Sequence, residues 1–111
     1  MKTFLICPVR GYKESEFALF TKRLEDQGWI VHFPPRDTNQ DDPHGLNICK
    51  ENLMAIQKSD AVHVIWDGKS TGCLFDLGIA FALNKRIIPI SLPELTDHKS
   101  FQNMITEWAK E

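Results

Sequence analysis

The chain alternates short apolar runs with longer segments in which apolar residues recur every three or four positions. The short runs have the length and apolarity of buried strands and cover residues 3–7, 29–33, 61–66 and 86–90. The longer segments have the spacing of helices with one buried face and cover residues 14–27, 42–58, 72–83 and 101–108. The pattern therefore predicts the element order β-α-β-α-β-α-β-α.

Several residues mark where these predicted helices begin and end. Gly28 follows the first helix, and Asn84 is suited to close the third in the left-handed conformation. Asp42 and Pro43 are typical of the N-cap and the first position of the second helix. We expect that helix to bury Leu46, Cys49, Leu53 and Ile56, and the last helix to be capped by Ser100 or Asp97. Residues 36–45 are polar and without a period, which indicates a loop.

The apolar residues also indicate how the elements pack. Residues 61–66 are almost continuously apolar, which is typical of a parallel strand that is buried on both faces. Residues 72–83 are apolar nearly all round, so we expect that helix to be largely covered. Alternating strands and helices favour a parallel sheet with helices on both faces. The predicted fold is a three-layer, Rossmann-like α/β sandwich with four to five strands.

The composition changes this picture little. A chain of 111 residues fits one domain, residues 1–111. With 42% hydrophobic and 25% charged residues it is typical of globular rather than disordered proteins. A formal net charge of −2 gives no reason to expect a nucleic-acid polymer as partner.

The cysteines and the N-terminal residues bear on location and cofactors. Cys7, Cys49 and Cys73 are odd in number and include no CxxC pair, which favours free thiols over disulfides or a zinc site. The apolar run at residues 4–7 is too short for a signal peptide, and no run approaches the ~18 residues of a membrane span. We expect a cytoplasmic protein that binds neither a membrane, a metal nor a cofactor.

Polar residues gather where three of the predicted strands end. In open parallel sheets, ligands bind beyond the carboxyl ends of the strands, near the point where strand order reverses. The polar and glycine-containing segments at those ends are residues 7–12, 34–41 and 66–72. We therefore expect a ligand site formed by these segments.

The segment Asp67-Gly68-Lys69-Ser70-Thr71-Gly72 joins the third strand to an apolar helix. Its glycines allow a sharp turn and close approach of a ligand, and its hydroxyls and N–H groups at a helix N-terminus suit an anion. A simple helix cap with a turn explains the same residues, and both interpretations stay open. The segment is neither GxGxxG nor a P-loop, so it predicts no dinucleotide or Walker site.

Asp76 is a carboxylate among apolar residues of the following helix. Burying it is costly unless a partner or a function requires it. The structural alternative is a carboxylate paired with backbone groups or an arginine.

Residues 59–85 contain S-D-A-V, then D-G, then S-x-G-x-x-x-D-L-G-x-A-x-A-L-x-K. This run resembles the nucleoside 2-deoxyribosyltransferases and their relatives, the deoxynucleoside 5′-monophosphate N-glycosidases. The resemblance implies a Rossmann-like fold, a phosphate contact by Ser70 and a nucleophile at Asp76. This chain has Asp76 where the family has Glu, and Asn52 where the family tends to have Asp.

The resemblance also implies a mechanism and partners. Asp76 would attack C1′ with retention, as in retaining glycosidases, and Asp67 and Asp60 are candidates for the acid. The ligand would be a small nucleoside or nucleotide, with a neighbouring subunit of a homodimer or higher homo-oligomer completing the pocket. The candidate ligand-binding residues are Cys7, Pro8, Arg10, Arg36, Asp37, Trp66, Gly68, Ser70, Thr71 and Gly72.

Several of these residues also fit structural roles. Trp66 is suited either to stack on a base or to fill the core, and Cys7 is more typical of a buried thiol than of a nucleophile. His32 and His63 lie inside predicted strands, where a structural role is the commoner one.

Three hypotheses of function follow. The first is an enzyme that cleaves or transfers the N-glycosidic bond. The second is a protein of the same fold that binds a nucleotide without turnover. The third is a structural subunit of a larger assembly.

Overall fold

Four strands form one all-parallel sheet in the computed structural model, which describes residues 1–111. The strands are β1 (Lys2–Ile6), β2 (Ile30–His32), β3 (Ala61–Ile65) and β4 (Arg86–Ser91). Their order across the sheet is β2-β1-β3-β4, and every neighbouring pair is parallel. The predicted Rossmann-like α/β architecture is confirmed, with four strands.

Five helices connect the strands: α1 (Glu14–Asp26), α2 (Pro34–Asp37), α3 (Leu46–Lys58), α4 (Thr71–Ala82) and α5 (Phe101–Trp108). The short helix α2 was not expected, because its residues lie at the start of a polar segment without a period. Its two prolines occupy the first helical positions, where a missing N–H costs nothing. No helix is both long enough and apolar enough to cross a membrane.

The core has one layer on each face of the sheet. Phe4, Ile6, Val62 and Val64 of β1 and β3 pack on α3, α4 and α5 through Ile56, Leu77 and Ile105. On the other face, Leu5 and Ile65 pack on α1 and β2 through residues such as Leu24 and Val31. All five residues of β3 are buried, as expected for a central strand with both faces covered.

Most of the expected helix ends are observed, with one difference. Asn84 adopts the left-handed conformation (φ 55°), and the Ser100 hydroxyl caps α5 by accepting from Asn103 N–H. Asp42 is not the N-cap of α3, because the cap position is held by Gly45 at φ 77°. Asp42 instead accepts from Ile48 N–H at 3.0 Å, so it satisfies a free N–H of the first turn from outside the helix.

The expected burial of α3 and α4 needs correction. On α3, Leu46 is 60% exposed, and the buried positions are Asn52 and Ile56. On α4, Phe75 and Phe81 are more than half exposed. The two helices contact each other on the sheet, and Phe81 also packs edge-to-face on Trp108 of α5, with ring centroids 5.2 Å apart.

The strand order reverses between β1 and β3. Strands β1 and β3 are parallel, so the segments that follow them emerge at the same edge of the sheet. This is where ligands bind in open α/β sheets.

Candidate functional site

A cleft of about 620 Å³ opens at the carboxyl ends of β1 and β3. Cys7, Pro8 and Arg10 enter it after β1, and residues 69–72 enter it after β3. The remaining lining includes Pro34, Pro35, Gln40, Cys49, Asn52, Asp67, Phe75 and Asp76. The segments that follow β1, β2 and β3 therefore meet at this cleft, as expected, and α3 and α4 contribute Asn52 and Asp76 to it.

The loop after β3 owes its shape to Asp67. One carboxylate oxygen, Oδ1, accepts from the backbone N–H groups of Lys69 and Ser70, both at 2.8 Å. Gly68, which lies between Asp67 and Lys69, has φ +79°, a conformation that residues with a Cβ rarely adopt. The loop therefore delivers Ser70 to the start of α4 in a defined orientation.

The N-terminus of α4 has hydrogen-bond donors that are not used within the chain. The Ser70 hydroxyl accepts from Cys73 N–H at 3.3 Å, so it caps the helix and still has its own hydrogen to donate. The N–H groups of Thr71 and Gly72 have no hydrogen-bond partner in the chain. The two interpretations of this segment are therefore compatible, because the same residues cap the helix and present donors at the cleft.

Asp76 lies one turn further along α4, partly buried in the wall of the cleft. Burial raises the pKa of its carboxyl from 3.8 to about 7, and the Asn52 side chain opposes this rise as a hydrogen-bond partner. No cation offsets the burial. The carboxyl group therefore changes its charge near neutral pH, which is unusual for Asp and typical of reactive carboxyl groups.

Asn52 is held by a hydrogen-bond network that reaches back to β2. Its Oδ1 accepts from the Thr38 hydroxyl at 2.9 Å, and Thr38 Oγ1 contacts His32 Nε2 at 2.9 Å. Thr38 and Asn52 are both almost fully buried. Asn52 is the only polar residue on the buried face of α3. Its amide oxygen is fixed by Thr38, and its side chain acts on Asp76.

Two of the three thiols at the cleft, those of Cys7 and Cys73, are not thiolates. Burial raises the pKa of Cys7 to about 12 and that of Cys73 to about 11. The Cys7 thiol donates to Pro8 C=O at 3.4 Å. Since the thiolate is the nucleophilic form, neither cysteine is suited to attack a substrate at neutral pH.

Asp60, Arg36 and Asp37 do not reach the cleft, which corrects three of the sequence-based assignments. Asp60 precedes β3, at the opposite edge of the sheet, where its carboxylate accepts from Lys2 N–H at 2.8 Å. The Arg36 guanidinium donates to Asp37, Glu25 and Val31 C=O, which ties it to α1 and β2. Asp37 also accepts from Phe33 N–H at 2.8 Å and so stabilises the start of α2.

Trp66 and Gly68 support the site from behind. Trp66 is 3% exposed, and its indole N–H donates to Ser70 C=O at 3.1 Å, so its role is in the core and not in base stacking. Gly68 does not line the cleft, and a Cβ at this position would lie 3.2 Å from Pro93 Cβ. His63 is likewise structural, buried on the α1 face with Nδ1 2.6 Å from the Thr3 hydroxyl oxygen.

Asp67 is at the cleft but is not suited to be the acid. Its hydrogen bonds with Ser70 and Lys69 N–H hold the pKa of its carboxyl below the usual value. It is therefore ionised at neutral pH and shapes the loop as a carboxylate.

The sequence placed Thr38 and Gln40 in a segment expected at the site, residues 34–41, but they were not among the candidate ligand-binding residues. Gln40 lines the cleft and donates to Pro34 C=O at 2.8 Å, which fixes the loop after α2. The sequence does contain a pattern that predicts the hydrogen-bond network. Asn52 lies three residues after Cys49 and four before Ile56, so it is a polar residue on the buried stripe of α3. Such a residue requires a buried partner.

The whole chain resembles two solved structures. The 2-deoxyribosyltransferase of Bacillus psychrosaccharolyticus matches with a TM-score of 0.70 at 19% identity, over 96% of this chain and 81% of that one. The CMP N-glycosidase BcmB of Clostridium botulinum matches with a TM-score of 0.61 at 20% identity, over 99% of this chain and 81% of that one. The sequence matches no protein-family model and no curated protein. The chain therefore shares the fold of these two proteins, and the resemblance inferred from residues 59–85 is confirmed at the level of the fold.

Proposed function

We propose that the chain, as one nucleoside 2-deoxyribosyltransferase-like domain, cleaves or transfers the N-glycosidic bond of a nucleoside or nucleotide, with Asp76 as the nucleophile. The observation that carries this proposal is the Asp76 carboxyl, with its pKa raised to about 7 by burial, beside unpaired N–H groups in a cleft. The fold shared with a 2-deoxyribosyltransferase and a CMP N-glycosidase supports it.

The reaction takes two displacements at one carbon atom. An Asp76 oxygen forms a bond to C1′ while the C1′–N bond breaks, and the electron pair leaves with the base, which takes a proton from water in the open cleft. The hydroxide ion left by that water then attacks C1′, the ester C1′–O bond breaks, and Asp76 is regenerated as a carboxylate. Two inversions give net retention. A second base in place of water gives transfer instead of hydrolysis.

The donors at the start of α4 suit a 5′-phosphate. The Ser70 hydroxyl and the N–H groups of Thr71 and Gly72 are donors at a helix N-terminus, which is the arrangement that binds an anion. Arg10 and Lys69 line the same cleft and are exposed, so both can pair with phosphate oxygens. We therefore expect a nucleoside monophosphate to bind more tightly than the nucleoside.

Binding without turnover is the second candidate, and one observation favours it. Asp76 has a shorter side chain than the Glu of the family pattern, and a displacement of ~1 Å can cost ~100-fold in rate. The same cleft would then hold a nucleotide as a signal and leave it intact.

Base release separates the two candidates. The protein is incubated with deoxynucleosides, ribonucleosides and their 5′-monophosphates, and free base is measured by chromatography. We expect release by the wild type, none by Asp76→Asn, and an altered rate for Asp76→Glu, which restores the longer side chain. No release from any of these compounds, together with thermal stabilisation by a monophosphate, would reject the enzyme and support the binding protein.

We also propose that two copies associate through α3 and α4. Leu46, Leu53 and Met54 of α3 and Phe75 and Phe81 of α4 are exposed, and Phe75 also lines the cleft. A partner on this surface would cover apolar area and narrow the open side of the cleft. Light scattering at micromolar concentration tests this: a dimer that Phe81→Glu converts to monomer supports it, and a wild-type monomer refutes it.

A further inference from the structure

A chain of hydrogen bonds leads from β2 to Asn52 in the wall of the cleft. His32 Nε2 lies 2.9 Å from Thr38 Oγ1, and the Thr38 hydroxyl donates to Asn52 Oδ1 at 2.9 Å. Asn52 lines the same cleft as Asp76, and its side chain favours the ionised form of the Asp76 carboxyl by lowering its pKa. Thr38 and Asn52 are only 5% and 6% exposed, so water does not compete for these bonds.

The bonds of this chain all point the same way. The Thr38 hydroxyl has one hydrogen, which it donates to Asn52 Oδ1, so it must accept from His32 Nε2–H. With Oδ1 turned to Thr38, the Asn52 amide presents its NH₂ group to Asp76. Each donor thus polarises the next, and the series ends at the Asn52 amide, which lines the cleft with Asp76.

We propose that His32 and Thr38 are positioning residues that act through Asn52 to hold the Asp76 carboxylate in one orientation. Because its oxygen accepts from the Thr38 hydroxyl, the Asn52 amide is held in one orientation, whereas a free Asn can present either its oxygen or its NH₂ group. The catalytic consequence rests on the proposed function, but the positioning itself does not.

The surroundings of His32 suit a neutral donor. Its ring stacks on Phe4 with centroids 5.4 Å apart, and burial lowers its pKa. The charged groups that act on it are Asp37, Arg36 and Glu51. A neutral ring with its proton on Nε2 is therefore the form that the hydrogen bond to Thr38 requires at neutral pH.

Thr38 can be altered without changing any charge near Asp76. The titratable groups that share the cleft with Asp76 are Cys7, Arg10, Cys49, Asp67, Lys69 and Cys73. None of them belongs to the hydrogen-bond chain. A shift in the titration of Asp76 after a change at Thr38 therefore reports on the hydrogen bonds.

The test is a titration of Asp76 by ¹³C NMR in protein labelled at the Asp carboxyl carbons, with Asp76→Asn to identify the signal. Thr38→Val removes the hydroxyl at nearly constant shape, and Thr38→Ser retains it. Thr21→Val is the matched control, because Thr21 is also 5% exposed and its hydroxyl bonds only to carbonyls within α1.

We expect Thr38→Val to raise the pKa of Asp76 by about half a unit or more, because the ionised form loses donors. Thr38→Ser and Thr21→Val should keep the wild-type value. If base release occurs, Thr38→Val should lower kcat about tenfold and leave KM within about twofold, since orientation and not binding is lost. A smaller shift in Thr38→Val, or an equal shift in Thr21→Val, overturns the proposal whether or not the protein is an enzyme.

A second measurement needs no variant at Thr38. The ¹⁵N signals of His32 in the wild-type protein should show a neutral ring with the proton on Nε2. His32→Phe, which keeps the stacking on Phe4, should shift the titration of Asp76 in the same direction but less than Thr38→Val. A proton on Nδ1 in the wild type, or no shift in His32→Phe, contradicts the proposed direction of the chain.

Discussion

Burying a titratable carboxyl in the wall of the cleft should cost this protein stability at neutral pH. The pKa of Asp76 rises from 3.8 to about 7 on folding because burial disfavours the charged form. The folded state therefore holds its proton over a pH range in which the unfolded chain has released it. Stability falls as the pH rises from about 4 to about 7, and the loss is complete above that range.

The size of the effect follows from the shift. Each unit of pKa corresponds to about 1.4 kcal/mol, so ionised Asp76 costs about 4 kcal/mol above pH 8. At pH 5 the cost is about 1.5 kcal/mol, since the folded state is still protonated there. Asp76→Asn removes the titration at nearly constant shape. We expect the variant to be more stable than the wild type by an amount that widens by about 2.5 kcal/mol between pH 5 and pH 8.

Urea unfolding at the two pH values, followed by circular dichroism, measures this difference. Asp41→Asn is the control, because Asp41 is exposed and its carboxylate makes no hydrogen bond. That variant should differ from the wild type by the same amount at both pH values. If the gap between Asp76→Asn and the wild type changes by less than about 0.5 kcal/mol, burial does not raise the pKa of Asp76, and the main support for its reactivity is lost.

Three further predictions concern the site and its loop. Ser70→Ala and Ser100→Ala each remove a helix cap, so each should lower the free energy of unfolding in urea by about 1 kcal/mol. Only Ser70→Ala should weaken the binding of a nucleoside monophosphate, measured by calorimetry. Equal weakening by both variants would show that Ser70 does not contact the phosphate. Gly68→Ala forces a Cβ into φ +79° and to 3.2 Å from Pro93 Cβ, so it should lower the free energy of unfolding by about 1–2 kcal/mol, and an unchanged stability would show that the loop relaxes freely. If bases are released, kcat/KM should rise about tenfold from pH 6 to pH 8 as Asp76 ionises, and a rate that falls over this range would exclude Asp76 as the nucleophile.

The sequence by itself determined the elements and their arrangement. Period and composition gave the strands and the major helices, because a strand buried on both faces and a helix with one buried stripe have different repeats. Asn84 and Ser100 marked helix ends through their own local chemistry. Alternating elements required a parallel sheet, and the strand-end rule then selected the edge at which Ser70 and Asp76 lie.

Only the tertiary structure decided which polar residues meet at that edge. The bounds of β3 alone place Asp67 and not Asp60 at that edge, but they do not separate the residues after β2 that line the cleft from those that turn away from it. Arg36 follows β2 as a site residue would, yet its guanidinium is bonded to Glu25 of α1 and away from the cleft. These outcomes depend on the directions of side chains across elements that are distant in the sequence.

The hydrogen bonds from His32 through Thr38 to Asn52 could not be predicted from the sequence either. Thr38 and Asn52 are 14 residues apart and belong to different elements, so no local pattern connects them. Burial joins them, because an amide on the buried stripe of α3 must find a partner inside the protein. The sequence supplied the carboxyl of Asp76, and the packing of α3 against α4 and the loop after α2 supplied its environment.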